Sequence, residues 1–467
     1  MRGSARLPAL LAVLLGTIVL GSAVPLGGFR LWISLPITLL CAALSVLALG
    51  IALRDRRFLN AGGPGLGAVV PLALLLVAWF WLQTVSWLPA FMWNPVYAIA
   101  DLAPGSVAVH PEVSRQFVLR MVAYMMVFWV ATRVGADHRL AQGLLIAAAL
   151  ATAAMAVFAI HEYRAGSLTI FGIEKRAGIA ATGTFESPNT YASYAAIGLC
   201  CALAVFAAPI SGVTRISGKR DTRKAVVLRI CMAMCGGCNL LAIVLSESRA
   251  GLGLAVVAFL TFGATYLAGQ RWRALAGAGI VAAATAGTVA LIAIGSAFHT
   301  SSVVQVVLGN RALQLRSVWD VAGFYGPGGV GLGGFADAAA ARKPPGMLDY
   351  HWDAAHNTFV EHVVEMGWFA APVFWLLLML VAGRLVLGLA DRRRDRHFAA
   401  VALTVFVLEL LHGAVDYPLH RPGVALLFAM IAGLGWAQSH SSKPSRDGDG
   451  AGETGSTRTV GGAATRT

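Results

Sequence analysis

The sequence predicts an all-α membrane protein of about twelve transmembrane helices with one large outer loop, on three observations: hydropathy, the length of the apolar runs, and the sidedness of Lys and Arg. Of 467 residues, 58% are apolar and 12% charged, with mean hydropathy +0.72. That is more apolar surface than a water-soluble core takes up, and lipid is the solvent that fits it. A helix rising about 1.5 Å per residue needs about 20 apolar residues to cross a hydrocarbon core of about 30 Å. Runs of that size recur at 7–27, 31–53, 66–88, 116–133, 140–162, 190–209, 227–246, 250–268, 275–297, 358–389, 398–415 and 422–437. Leu, Ala, Val and Gly fill them without the alternation of a membrane β-barrel, so the spans read as helices.

The first run follows Arg2 and Arg6 and resembles a secretory signal, but a second apolar span starts a few residues later. It reads as a retained first helix. All six cysteines fall inside expected spans, which argues against a disulfide framework. Cys231, Cys235 and Cys238 share a helical face and are read as small packing residues in preference to a metal site.

Basic residues are retained on the cytoplasmic side during insertion. With the N-terminus inside, the inner segments hold Arg54, Arg56, Arg57, Arg133, Arg139, the cluster from Arg215 to Arg229, Arg271, Arg273 and the run Arg392–Arg396. They carry about twice as many basic residues as the outer segments. The formal net charge of +14 is thereby explained by topology and anionic lipid, without nucleic acid. Residues 1–437 form the expected transmembrane domain, with 298–357 as its large periplasmic loop. Residues 438–467, rich in Ser, Gly, Thr and charge, form an expected disordered cytoplasmic tail. Both termini are expected in the cytoplasm of a bacterial inner-membrane protein.

The notable polar residues gather at outer span ends. The loop contains Arg311, Arg316, Trp319, the run Gly326-Pro-Gly-Gly-Val-Gly-Leu-Gly-Gly-Phe335, and Asp353-Ala-Ala-His356-Asn357-Thr-Phe-Val-Glu361-His362-Val-Val-Glu365-Met-Gly367. A loop this long in a compact membrane protein points to function. The Gly-rich run lacks the Lys-Ser/Thr of a P-loop; it is either a backbone that approaches a phosphate or a tight turn. Histidine is the residue type that titrates near neutrality, and His356 stands beside a loop of arginines, read against the plain alternative of an interfacial hydrogen-bonder. A zinc-protease reading fails on spacing, since no His-Glu-x-x-His occurs. Arg249 lies in the short link Ser246-Glu247-Ser248-Arg249-Ala250-Gly251 and needs an anion, either a ligand or Glu247. Asp416, in the link Leu411–Pro422, is placed to orient an imidazole or to pair with Arg421.

Taken together, Gly183-Thr-Phe-Glu-Ser-Pro-Asn189, Ser248-Arg249-Ala-Gly251, Asn310-Arg311, Gly329-Val-Gly-Leu-Gly-Gly-Phe335, and Ala355-His356-Asn357 with Glu365-Met-Gly367 resemble the O-antigen ligase and polymerase superfamily. The stretch His412–Pro422 is similar to a C-terminal element of its exopolysaccharide-related branch. The resemblance runs in family order from about residue 180 to 437, whereas the first 150 residues match only as generic membrane helices. It implies a glycosyltransferase that moves a glycan from undecaprenyl diphosphate to an acceptor hydroxyl without metal or cofactor, with Arg249, Arg311 and His356 as catalytic residues. Arg316, Asn357 and Asp416 are expected at the substrate. The family often has Trp about four residues after the loop arginine; here Trp319 follows Arg311 by eight and Arg316 by three, so both arginines stay candidates.

The chemistry agrees. Displacing a lipid diphosphate from an anomeric carbon needs charge stabilisation at the leaving group, which arginine forks supply, and a base for the incoming hydroxyl, which a near-neutral histidine supplies. No Asp-x-Asp occurs in an outer loop, and a single displacement inverts the anomeric centre. The acceptor is lipid A core, another glycan or a protein hydroxyl, so ligase, polymerase and protein O-oligosaccharyltransferase all remain open. A lipid-linked sugar transporter or flippase is the rival from another class, with Glu162, Glu409 and Asp416 as coupling residues. Against it, the polar residues cluster at one side and not at the midplane of two similar halves.

Overall fold

The computed structural model describes residues 6–28, 30–60, 66–175, 178–208, 215–216, 219–220, 222–268, 272–297, 311–342, 353–392 and 395–440. Within these, the side chains of 31, 57, 215, 216, 219, 220, 222, 291–297 and 311–316 are not described. The expected tail beyond residue 440 and the loop stretches 298–310 and 343–352 lie outside the described residues.

Among the described residues the elements are helices apart from two two-stranded hairpins, Thr169–Ile170 with Ile173–Glu174 and Arg215–Ile216 with Lys219–Arg220. In chain order the helices are α1 (Arg6–Gly21), α2 (Leu31–Arg54), α3 (Arg56–Asn60), α4 (Val69–Leu82), α5 (Pro95–Ile99), α6 (Pro111–Val134), α7 (His138–Arg164), α8 (Pro188–Ala207) and α9 (Thr222–Leu245). They continue as α10 (Arg249–Leu267), α11 (Arg273–Ala297), α12 (Arg311–Tyr325), α13 (Phe335–Ala340), α14 (Thr358–Met366), α15 (Ala370–Asp391), α16 (His397–Gly413) and α17 (Pro422–Gln438). Eight of these, namely α2, α6, α7, α8, α9, α10, α11 and α15, are long and apolar enough to cross a membrane. The other four expected spans fall on shorter apolar helices, α1, α4, α16 and α17. The 14 residues of α4 reach about 21 Å, short of a core of about 30 Å.

The span expected over 358–389 is corrected. It is two helices, α14 and α15, broken at Gly367, whose φ is 88°. The Gly-rich run packs into the break: Trp368 N–H donates to the Pro327 carbonyl at 3.2 Å, and a Cβ on Gly367 would overlap that same oxygen.

Helix packing relies on small residues, as expected where lipid tails give no hydrophobic drive between helices. Gly251 of α10 meets Ala192 of α8, and Gly433 of α17 meets Ala131 and the Phe128 carbonyl of α6. The α8, α16 and α17 helices are buried on nearly every face, whereas outer helices bury one stripe, such as Cys41, Leu44, Ala48 and Ala52 of α2. Their other faces expose Leu39, Val46, Leu53, Leu74 and Leu267, an apolar belt suited to lipid. The protein is a multi-pass membrane protein.

Links between helix termini sort into two ends. At one end Arg133 Nη1 donates to the Leu59 carbonyl at 2.6 Å, Gln438 Nε2 to the Gly135 carbonyl at 2.7 Å, Tyr266 to the Ala207 carbonyl at 2.6 Å, and Arg392 Nη1 to the His440 carbonyl at 2.8 Å. At the other end Thr184 Oγ1 donates to the Ala23 carbonyl, Ala181 N–H to the Leu245 carbonyl, and Arg115 Nη2 to the Thr84 carbonyl. The long helices joined by these links alternate in direction, and His356, Asn357, Asp416 and Arg249 belong to the second end.

Candidate active site

His356 stands directly before the N-cap of α14 and has φ 51°, in the left-handed region that non-glycine residues seldom occupy. The strain is held by Asn357. Its Oδ1 accepts the N–H groups of Phe359 and Val360, both at 3.1 Å, and its Nδ2 donates to the Ala414 carbonyl at 2.7 Å. The α14 start is thereby pinned to the link between α16 and α17. Thr358 Oγ1 adds a second pin, donating to the Asp416 carbonyl at 2.9 Å.

The pinning sets His356 Nδ1 3.3 Å from Asp416 Oδ1. Asp416 is buried, with 4% of its side chain exposed against 23% for His356, so the carboxylate lies behind the ring and the ring faces outward. Two further donors fix the carboxylate: the Tyr417 N–H on Oδ1 at 3.0 Å and Asn189 Nδ2 on Oδ2 at 2.5 Å. Asn189 Oδ1 in turn accepts from Ser248 Oγ at 2.7 Å, and Ser248 Oγ caps α10 by accepting the Gly251 N–H at 3.0 Å. A continuous hydrogen-bonded chain thus runs His356, Asp416, Asn189, Ser248, and ends beside Arg249. Of the two sequence readings of Asp416, the imidazole contact is present at 3.3 Å, and Arg421 is also close enough for the Asp416 charge to act on it.

Arg249 opens α10 and is exposed, after a turn forced by Glu247 at φ 57°. Among the described residues no carboxylate lies within ion-pair reach of it, Glu247 included. Arg311 and Arg316 begin α12, but their side chains lie outside the described residues. Glu162 meets Lys175 Nζ at 3.7 Å, and Glu409 accepts from Ser193 Oγ at 2.5 Å.

The Gly-rich run approaches protein backbone closely, as the turn reading has it. Val330 and Gly331 donate to the carbonyls of Val364 and Glu365 at 2.9 and 3.0 Å, and Val109 donates to the Val330 carbonyl at 3.0 Å. At Gly329, φ 76°, a Cβ would sit 2.5 Å from the Glu365 oxygen. The Glu365 carboxyl accepts the Phe335 N–H at 3.3 Å, and burial raises its pKa to about 7. Glu361, one turn earlier, is pushed well above the carboxylate range by burial and by Glu365. It lies 3.4 Å from His420 Nδ1, and burial beside Arg421 lowers His420 to about 4. Both shifts favour neutral forms, so the contact is a carboxyl group against a neutral imidazole. Burial likewise lowers His362 to about 3.

Several residues here carried no signal in the sequence. Gln83, at the end of α4, donates from Nε2 to the carbonyls of Gly328 at 2.7 Å and Glu365 at 3.1 Å, and Trp79 Nε1 donates to the Met366 carbonyl at 3.0 Å. The N-terminal helices thus brace the loop that carries His356. Asn189 stood inside a quoted motif, but its role as the bridge between Asp416 and Ser248 requires the fold.

This arrangement defines a multi-pass helical membrane protein with a His–Asp pair at one end of the bundle, and with an arginine nearby that no carboxylate among the described residues neutralises. Residues 232–375 match the family model described as O-Antigen ligase, which bears out the resemblance to the O-antigen ligase and polymerase superfamily. The match contains Arg249, His356 and Asn357, while Asn189 and Asp416 lie outside it and reach the site through the hydrogen-bonded chain. No curated protein matches the chain closely enough to be called a relative.

Proposed function

We propose that the protein transfers a glycan from undecaprenyl diphosphate to an acceptor hydroxyl, with no metal ion, at the end of the bundle that carries His356. The observation that carries this reading is the link from His356 through Asp416 and Asn189 to Ser248 and Arg249. The basic residues concentrated at the opposite end support a periplasmic location for the site by the positive-inside rule.

Asp416 accepts the Nδ1 hydrogen of His356, which selects the tautomer with a lone pair on Nε2. Nε2 takes the proton of the acceptor hydroxyl as its oxygen bonds to the anomeric carbon. The bond from that carbon to the phosphate oxygen breaks on the opposite face, its electron pair leaves with the lipid diphosphate, and the centre is inverted. Arg249 and Arg311 stabilise the charge on the leaving group, because guanidinium forks bind phosphate oxygens bidentately and stay charged at any relevant pH. Arg316 is the alternative to Arg311. Asn357 and Asp416 position His356, since the buried groups of both are engaged with the protein.

The test is transfer by purified protein in a bilayer without any ion gradient, supplied with lipid-diphosphate glycan and candidate acceptors. Consumption of donor with release of undecaprenyl diphosphate is expected. Movement of intact donor between leaflets without cleavage would instead establish the transporter. Deleting the gene then identifies the acceptor class: surface glycan unattached marks a ligase, shortened a polymerase.

A further inference from the structure

Arg120 sits in α6, within a segment whose other residues are largely apolar, and only 6% of it is exposed. Its guanidinium lies 4.6 Å over the Phe117 ring, and among the described residues it makes no hydrogen bond or ion pair. A charge inside the membrane zone with no counter-charge is expensive, and such residues mark function.

Its position follows from the packing of α6 on α17. The two helices run in the same direction, with Gly433 against Ala131 and Thr132 and with Gln438 bonded to the Gly135 carbonyl. Counting back equally along both from that contact brings Arg421 level with Arg120 to within about one turn. Arg421, 6% exposed, lies 5.8 Å over the Tyr417 ring, and Tyr417 is 5.1 Å from the His356 ring. One turn above Arg120, Phe117 packs on Gly333 of the Gly-rich run. Arg120 is also near enough to His420 to help hold that imidazole neutral.

We propose that Arg120 binds a phosphate group of the membrane-held donor, reaching the site from the Tyr417–Arg421 side of His356 while Arg249 reaches it from the Asn189–Ser248 side. This rests on the proposed function and adds a phosphate-binding residue from the first 150 residues, which carry no family motif. Arg120 lies about 14 Å below the start of α6, a depth that a lipid-anchored diphosphate reaches more readily than a water-borne acceptor.

The test uses full-length protein in phosphatidylcholine nanodiscs with undecaprenyl diphosphate as the probe, comparing wild type, Arg120→Met, Arg120→Lys and His356→Gln. The expected result is about tenfold weaker binding in Arg120→Met, partial retention in Arg120→Lys, and unchanged binding in His356→Gln. Without ligand, Arg120→Met should melt at or above the wild-type temperature, because a buried unpaired charge is removed. Wild-type affinity in Arg120→Met would overturn the assignment, as would a lower melting temperature shared by Arg120→Met and Arg120→Lys, which marks a structural residue. Equal competition by phosphatidylglycerol would overturn it too, in favour of a general headgroup site. Wild-type protein that fails to bind the probe would instead overturn the donor reading itself.

Discussion

The two ends of the helical bundle use arginine differently. At the end opposite the site, Arg133, Arg273 and Arg392 donate to the carbonyls of Leu59, Ala268 and His440, and Arg384 donates to that of Ser439. These cations satisfy carbonyls that helix ends leave without partners, as is common for basic residues near C-termini. At the site end, Arg249 and Arg120 have no such partner among the described residues, while a histidine and a carboxylate meet at 3.3 Å beside them. At the first end each of these four arginines has at least one carbonyl partner within the protein. At the other end Arg115 has the Thr84 carbonyl, whereas Arg249 and Arg120 lack such a partner among the described residues, and these two are the cations that the proposed function assigns to a ligand.

That comparison breaks most directly at the pair. Asp416→Asn should lower turnover about 10³-fold, because an amide at that position turns the ring to the wrong tautomer. Kinetics in bilayers would check this, and near wild-type turnover would reduce Asp416 to a packing residue. Arg249→Ala should lose about 10²- to 10³-fold in turnover with normal membrane expression, and Arg249→Lys should recover part of it. Its counterpart at the opposite end, Arg392→Ala, should change turnover by less than about twofold, in line with the modest contribution of exposed or partly exposed polar contacts. A similar loss in both variants would abolish the distinction between the ends.

Compartment reporters sharpen the same comparison. Fusions at Ala338 and His440 should report opposite compartments, and a shared compartment would contradict the alternation of helix direction. The smallest effect concerns Glu365. A carboxyl raised to about 7 in the folded protein binds its proton more tightly there than in the unfolded chain. Its contribution is present below the unfolded pKa and is lost as pH rises towards and past 7. Melting temperature should therefore fall by a few degrees between pH 5 and pH 8, and Glu365→Gln should flatten that slope. A slope unchanged in Glu365→Gln would assign it to another group.

Much of this was legible in the sequence for physical reasons. Every expected span except that over 358–389 falls on a single helix, because lipid forces backbone groups to pair within the segment, so apolar length marks the element. The break at Gly367 escaped that reading, since apolar residues continue through it and its cause is the Pro327 carbonyl, 40 residues away. His356 and Arg249 were legible because each is a polar residue at a span end that local chemistry leaves unexplained. Asn189 as a bridge and Gln83 as a brace were not, because their partners are 227 and 245 residues distant. Arg120 passed as one more helix residue in the sequence, and only the register of α6 on α17 gives it a place.

The most direct test of the account is the transfer rate of His356→Gln from pH 6 to 8, measured alongside its affinity for undecaprenyl diphosphate. A glutamine keeps a hydrogen bond but cannot take a proton. Transfer should fall by about 10²- to 10⁴-fold at every pH with donor binding intact if His356 is the base; wild-type turnover across that range would leave His356 a structural residue at a helix start.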